Sequence, residues 1–182
     1  MNQSDELQLI KDFNNGNEQA YNQLVLRYKE KIYWIVRRMI PDHDDADDVT
    51  QNVFIKAYHS LSSFKGDSSF YTWIYRIAIN LSLNEIRRKK VRKTFAIDED
   101  IHQIRSLDDH PLELLEKEER TKQIHEAIER LPEKQKKVFV LRYYEELPYE
   151  EIAKILKTSV GGLKANYFHA VKKIGVYLKH ER

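Results

Sequence analysis

The chain contains no cysteine. Disulfides, thiolate zinc sites and cysteine nucleophiles are excluded together, and the composition is compatible with a reducing compartment. Glycine and proline are also scarce, at 5 and 4 residues in 182, too few for an all-β protein built on many tight turns. Long apolar runs are missing: each is a few residues, where roughly 20 are needed to cross a bilayer. The segment Met1–Ile10 is polar and acidic, without the apolar core of an export signal. There is no glycine-rich phosphate loop. The 7 histidines are scattered with no i, i+4 pair, and Pro41–Asp45 lacks the glycine and closing glutamate of a calcium loop. No catalytic constellation, metal site or cofactor is expected.

What the chain has is charge and helical periodicity. Charged residues make up 33% and the hydrophobic set 41%, the balance of a well-packed, helix-rich protein. The net charge of +2 conceals an uneven distribution. Residues 1–93 carry 15 Lys/Arg against 12 Asp/Glu, residues 94–119 carry 2 against 9, and residues 120–182 carry 14 against 8. Two basic modules flank an acidic connector, and basic modules point to a polyanionic partner.

Apolar steps of three and four run through Tyr21, Leu24, Val25, Tyr28, Ile32, Ile35, Val36 and Met39, defining one helix face. Asn17 fits its N-cap and Pro41 stops it. A second run, Ala46, Val49, Val53, Ala57 and Leu61, starts beside Asp44 and Asp45, where the helix dipole favours anions. Phe64–Ser69 has turn chemistry, and a third helix is expected from about Ser69 to Lys90. With a short leading helix over 4–14, this makes a four-helix N-terminal domain over 1–93. Residues 94–111 read as a flexible acidic linker. The helical pattern returns over 112–182 with Leu112, Leu115, Ile124, Ala127, Ile128 and Leu131. Pro132 and Pro148 suit first helical positions, where a missing N–H costs nothing. The expected fold is all-α: two small helical domains, the second also of four helices.

Within 148–178 a short helix with Ile152, Ala153 and Leu156 facing inward is joined by Lys157–Ser159 to a longer one. The inner face of the longer helix reads Val160, Leu163, Tyr167, Val171 and Ile174. This is the helix-turn-helix plan. The outer face then presents Gly161, Lys164, Ala165, Phe168, His169, Lys172 and Lys173. Residues 152–182 hold seven Lys/Arg and one acid, Glu181. A basic second helix fits the major groove of DNA; a helical hairpin with a solvated lysine face fits the same pattern.

The second helix presents Asp44, Asp48, Gln51 and Ile55 at i, i+4, i+7 and i+11. Taken alone, this stripe is either a solvated face or a docking surface. The stretch from Phe64 to Asn80 places five aromatic residues after a glycine-containing loop. Arg76 lies among them, and a basic run spans Arg87–Lys93. Rings beside cations suit single-stranded nucleic acid, with bases stacked on the rings and cations on phosphates. The alternative puts Trp73 and Ile77 in the core and Tyr71 at the surface, and for Trp73 a place at least partly in the core is expected.

The motifs A-Y-N-Q-L-V-L-R-Y, D-A-D-D-V-T-Q-N-V-F-I-K-A-Y, F-K-G-D-S-S-F-Y-T-W-I-Y-R-I-A-I-N, L-P-E-K-Q-K-K-V-F-V-L-R-Y-Y-E-E-L-P-Y-E-E-I-A-K-I-L and S-V-G-G-L-K occur in this order. Together they resemble bacterial RNA polymerase sigma factors of the extracytoplasmic-function (ECF) subgroup, over nearly the whole chain. The resemblance implies a cytoplasmic, non-enzymatic subunit that binds core RNA polymerase and directs promoter-specific initiation. It implies that Asp45, Asp48, Gln51 and Phe54 dock on the clamp helices of the β′ subunit. It assigns Phe64, Lys65, Ser69, Phe70 and Asn80 to a pocket for a flipped base of the −10 element, and Arg76 to phosphates. It assigns Gly161, Gly162, Lys164, Ala165, Asn166, Phe168, His169 and Lys172 to the −35 element. It further implies an anti-sigma partner. The linker would thread the polymerase as a nucleic-acid mimic or serve as a solubilising tether.

The sequence departs from the family's usual pattern in the last motif. Gly162 stands where many members have Thr, Ala165 where they have Ser, and Asn166 and His169 where they have Arg. Bidentate arginine–guanine contacts are excluded at those places, so the −35 preference should differ from that of commoner subgroups. Two other classes fit parts of the chain, a free-standing helix-turn-helix regulator and a helical adaptor without a nucleic-acid role. Neither needs both the aromatic loop and the acidic stripe.

Overall fold

The computed structural model describes residues 3–95 and 122–180. Every regular element among them is helical. The N-terminal domain is built from α1 (Gln3–Asn14), α2 (Glu18–Met39), α3 (His43–Ser60) and α4 (Phe70–Phe95), with a single 3₁₀ turn, Leu61–Ser63, after α3. The C-terminal domain contains α5 (122–129), α6 (Glu133–Phe139), α7 (Tyr149–Leu156) and α8 (Val160–His180). Leu112, Leu115 and nearly all of the expected linker lie outside the described residues.

Local chemistry sets the boundaries. Asn17 caps α2 by accepting from the Gln19 amide at 3.1 Å, and Asp42 caps α3 by accepting from the Asp45 amide at 2.9 Å. Ile40 precedes Pro41 and is extended, which ends α2. Ser69 starts α4, its hydroxyl accepting from the Thr72 amide. Pro132 and Pro148 sit one residue earlier than the sequence suggests. With ψ of 145° and 151° they are N-caps of α6 and α7, not first helical residues. The fixed proline φ suits both positions, and only ψ separates them.

α6 does not stop at Phe139 but widens into a π turn over Val140–Tyr144. The Glu145 amide reaches back five residues to the Val140 carbonyl at 3.4 Å, and Glu146 takes a positive φ of 52°. Arg142 holds the exit by donating to the Glu146 and Leu147 carbonyls. The wide turn places Tyr144 and Glu145 against the N-terminal domain.

The sequence reads as two modules on a tether, but the described residues form a continuous structure. The main core joins Leu24, Ile32, Ile35, Val53, Ile74 and Ala78 of the first domain to Val138, Leu141, Ile152, Ile155 and Leu163 of the second. A smaller core of Ala127, Ile128, Leu131, Phe139, Ala170 and Ile174 lies between α5, α6 and α8. Periodicity marks the apolar face of each helix; it does not say which faces meet.

Two inner faces need correction. In α7, Ile152 and Ile155 are fully buried, whereas Ala153 and Leu156 are only half-buried. In α8 the buried positions are Leu163, Ala170 and Ile174, and Val171 is 45% exposed. Steps from 163 to 167, 170 and 174 keep one phase, and a step to 171 drifts off it. Ile152 packs at the junction of both domains, so Ile152→Ala should destabilise the chain by about 3 kcal/mol, the range for emptying a core position. Urea unfolding with an unchanged m-value is the expected readout.

Candidate protein and nucleic-acid interfaces

The outward stripe of α3 is as spaced in the sequence. Asp44, Asp48, Gln51 and Ile55 are all exposed, Ile55 at 54%. Phe54 is half-buried and its carbonyl accepts from Tyr21 at 2.6 Å. Asp45 differs from its neighbours: it is paired with Lys89 of α4. Asp45 therefore ties α3 to α4, and Asp48 and Gln51 form the free part of the motif's surface.

The loop before α4 is ordered by its own aromatic residues. Phe64 packs on Trp73 at 5.4 Å and on Phe70 at 6.3 Å between centroids, and Phe70 meets Tyr28 at 5.3 Å. Gly66 turns the chain with φ of 77°, which favours glycine. Phe70 is buried in the core, not open as the wall of a pocket. Trp73 and Ile77 are half-buried, Phe64 likewise, and Lys65 is exposed. Ser69 is committed to capping. The open groups are thus Lys65, the Phe64 ring edge and, two turns along α4, the exposed Asn80.

Tyr71, at the surface in the core reading of this stretch, and Arg76, assigned to phosphates, are both half-buried and engaged. Tyr71 packs on Tyr75 at 4.1 Å, and burial pushes the phenols of both well above the usual tyrosine range, so they remain protonated. The Arg76 guanidinium donates to the Ile155 and Lys154 carbonyls at 3.1 and 2.8 Å. Those carbonyls end α7, where the helix leaves acceptors unpaired. A cleft of about 160 Å³ between the domains is lined by Arg76, Asn80, Lys137 and Lys157 among others. Lys137 and Lys157 are absent from the residues picked out by sequence. Their only signal was charge, and their proximity to α4 depends on the packing of the two domains.

In the helix-turn-helix, Lys157 takes a positive φ of 50° to turn the chain between α7 and α8. Ser159 receives the Gly162 amide on its hydroxyl at 3.3 Å. A Cβ at Gly162 would lie 3.3 Å from that hydroxyl, so the glycine keeps the helix start close-packed. Gly161, Lys164, Ala165, Phe168, His169 and Lys172 are exposed on one side of α8, with Phe168 at 64%. Asn166 is different. Its amide donates to the Gly162 carbonyl at 2.7 Å and is half-buried, so it does not stand on the outward face. Tyr149, also missed, has Arg142 on its ring at 5.2 Å and Lys164 at 5.8 Å. The ring draws Lys164 toward the start of α7. Lys164→Ala should weaken duplex binding and reduce the slope of log Kobs against log salt by about 1, measured as a salt series.

Among the described residues, no cluster of three or more His, Asp or Glu side chains is placed to hold a metal ion. No helix among them is long and apolar enough to cross a membrane.

Comparison with known proteins places these surfaces in a family. Residues 24–92 match the sigma-70 region 2 model, and residues 121–174 match sigma-70 region 4. The RNA polymerase sigma-H factor of Pseudomonas aeruginosa is 36% identical over 96% of this chain and 94% of its own. The ECF RNA polymerase sigma-E factor of Escherichia coli K12 is 38% identical over 91% of this chain and 90% of its own. Two solved structures share the fold. CnrH, solved in complex with the cytosolic domain of CnrY, superposes with a TM-score of 0.69 at 22% identity, covering 98% of this chain and 99% of that one. The sigma factor RpoE of Bartonella quintana, solved with the anti-sigma factor NepR, gives 0.65 at 21%, covering 89% and 98%. With region 2 on the acidic stripe and aromatic loop, and region 4 on the helix-turn-helix, this chain belongs to the ECF subgroup of the sigma-70 family of RNA polymerase sigma factors.

Proposed function

We propose that this chain binds core RNA polymerase through α3 and directs it to promoters, reading the −10 element with α4 and its preceding loop and the −35 element with α8. The observation that carries the reading is the coexistence of an exposed acidic stripe and an exposed basic helix face on one family member. Asp48 and Gln51 offer acceptors to a basic partner surface, as charge-assisted docking requires. Phe64, Lys65 and Asn80 are the groups of the loop and α4 left open to an unstacked base, and unstacking costs a few kcal/mol that ring and edge contacts must offset. Lys164 and Lys172 track phosphates, while Ala165 and Phe168 give apolar surface suited to thymine methyl groups. The chain itself has no chemistry to perform; the polymerase joins nucleotides, and the site of action is the cytoplasm.

An anti-sigma partner is part of the same reading, since the structural neighbour RpoE was solved with the anti-sigma factor NepR. Transcription in vitro tests the whole account. Purified chain added to cognate core enzyme and a genomic library should yield discrete start sites preceded by a shared pair of elements. A chain that binds duplex DNA but neither retains core enzyme nor starts transcripts would be a free-standing regulator instead.

A further inference from the structure

A cavity of about 510 Å³ opens between the C-terminal half of α2, α5 and the π turn that ends α6. Small-molecule sites span roughly 300–1,000 Å³ and favour domain junctions. None of the surfaces assigned above to polymerase or promoter contributes to it. α2 supplies Trp34 and Arg37, three positions apart and so on one helix face. α5 supplies Ile124 and His125, and the π turn supplies Tyr143. Two of these rings are open to solvent, Trp34 at 48% and Tyr143 at 56%. Trp34 meets Tyr33 edge-on at 5.3 Å. Tyr143 stacks on the buried Phe139 at 5.1 Å, so one face of its ring is used and the other is left outward. The widened turn is what presents it, and such turns recur at functional sites.

The two arginines of the cavity differ. Arg38 is committed: it pairs with Glu145, and its guanidinium covers the Tyr144 ring at 4.6 Å. Arg37 is half-buried, and among the described residues it makes one long hydrogen bond, 3.4 Å, to the Ile40 carbonyl. A guanidinium has five donors in a planar fork, so most of its capacity is unused. No described carboxylate forms an ion pair with it. A ligand for this set must be flat, apolar on its faces and anionic at one end. A neutral ring would leave Arg37 without an anion, a bare anion would leave the indole wet, and a cation would meet arginine. We infer that the cavity is a binding site for a purine nucleoside monophosphate, with the base against the rings of Trp34 and Tyr143 and the phosphate on Arg37. Aromatic rings stack bases, and the larger face of a purine gains more than a pyrimidine from two of them. One open guanidinium matches one phosphate. Further phosphates would bring charge that the site does not neutralise, because Glu145 already takes Arg38. The site shares no residue with the α3 stripe, the α4 reader or the outer face of α8, so it stands apart from the promoter reading.

The chain has 2 tryptophans, Trp34 and Trp73, which makes the test direct. Trp73→Phe in the full chain leaves Trp34 as the sole indole, and its emission reports the cavity. Titration with AMP and with GMP should quench Trp34 with a Kd on the order of 10–100 μM, the range for a small ligand in an open site. Adenosine and inorganic phosphate each carry half of the recognition and should bind at least about tenfold more weakly. Arg37→Gln should weaken AMP by about tenfold or more, and Arg37→Lys, which keeps the charge without the fork, should fall between it and the parent. Tyr143→Leu should also weaken AMP, through lost stacking. Saturating AMP should raise the melting temperature of the wild type and leave that of Arg37→Gln where it is, which separates binding from folding. Unchanged Trp34 emission with AMP and GMP overturns the inference. So does equal quenching in the parent and in Arg37→Gln, because the phosphate would then have no partner there. If a short single-stranded oligonucleotide quenches Trp34 at concentrations about tenfold below AMP, the cavity serves a nucleic-acid strand and the free nucleotide is the wrong ligand.

Discussion

Asp48→Arg should abolish detectable binding to core polymerase while leaving the melting curve in place. The carboxylate is exposed on the outer face of α3, and the buried positions of that helix, Ala46, Val49, Val53 and Ala57, are untouched by the change. Exposed substitutions away from caps and cores shift stability by about 0.5 kcal/mol or less. The effect on docking is of another size. An attractive carboxylate becomes a cation facing a basic surface, and reversal of this kind costs on the order of 3–5 kcal/mol, a factor of about 10² to 10⁴ in affinity. Gel filtration of the mixed proteins, or competition against the wild type for core enzyme, reads the loss. Asp48→Glu should retain most of the binding because it keeps the charge. Asp45→Arg is a poorer probe, since it also breaks the pair with Lys89 that ties α3 to α4. Wild-type retention of core enzyme by Asp48→Arg would remove α3 from the docking surface.

The contrast between Asp45 and Asp48 illustrates what was legible in the sequence. Spacing placed Asp48, Gln51 and Ile55 on one outward stripe because a helix repeats every 3.6 residues, and they are exposed. The same spacing left Asp45 near that stripe and gave no sign of Lys89, which lies 44 positions away and arrives only through packing of α3 on α4. The caps at Asn17 and Asp42 and the stop at Pro41 were local, so they could be read directly. The inner face of α8 was drawn through Val171 because a valine outscores an alanine on hydrophobicity. The phase of the helix instead buries Ala170, where only a small side chain lets α6 approach. Phe70 was assigned to a pocket by resemblance, yet its ring completes the core against Tyr28. The largest omission was the union of the domains. Arg76, Glu133 and Glu145 each look like solvated charges in the sequence, and their partners lie 46 to 107 positions away.

Asn80→Ala separates promoter opening from promoter finding. Asn80 is exposed and no aromatic contact of the loop passes through it, whereas Phe64 packs on both Phe70 and Trp73. Phe64→Ala therefore mixes a reading defect with a loss of packing, of about 3 kcal/mol if the ring were fully buried. Asn80→Ala carries no such penalty, and alanine suits the helix better than asparagine. Removing the amide takes away edge hydrogen bonds to an unstacked base, which are worth about 1–3 kcal/mol when bidentate. Opening should slow by about 10- to 100-fold, while retention of core enzyme and binding to closed duplex promoter stay at wild-type levels, because α3 and α8 are unaltered. Permanganate reactivity of unpaired thymines, followed in time, reports opening; filter binding at low temperature reports the closed complex. Equal losses in both would make Asn80 a general DNA contact. An unchanged opening rate would place the base pocket away from this face of α4.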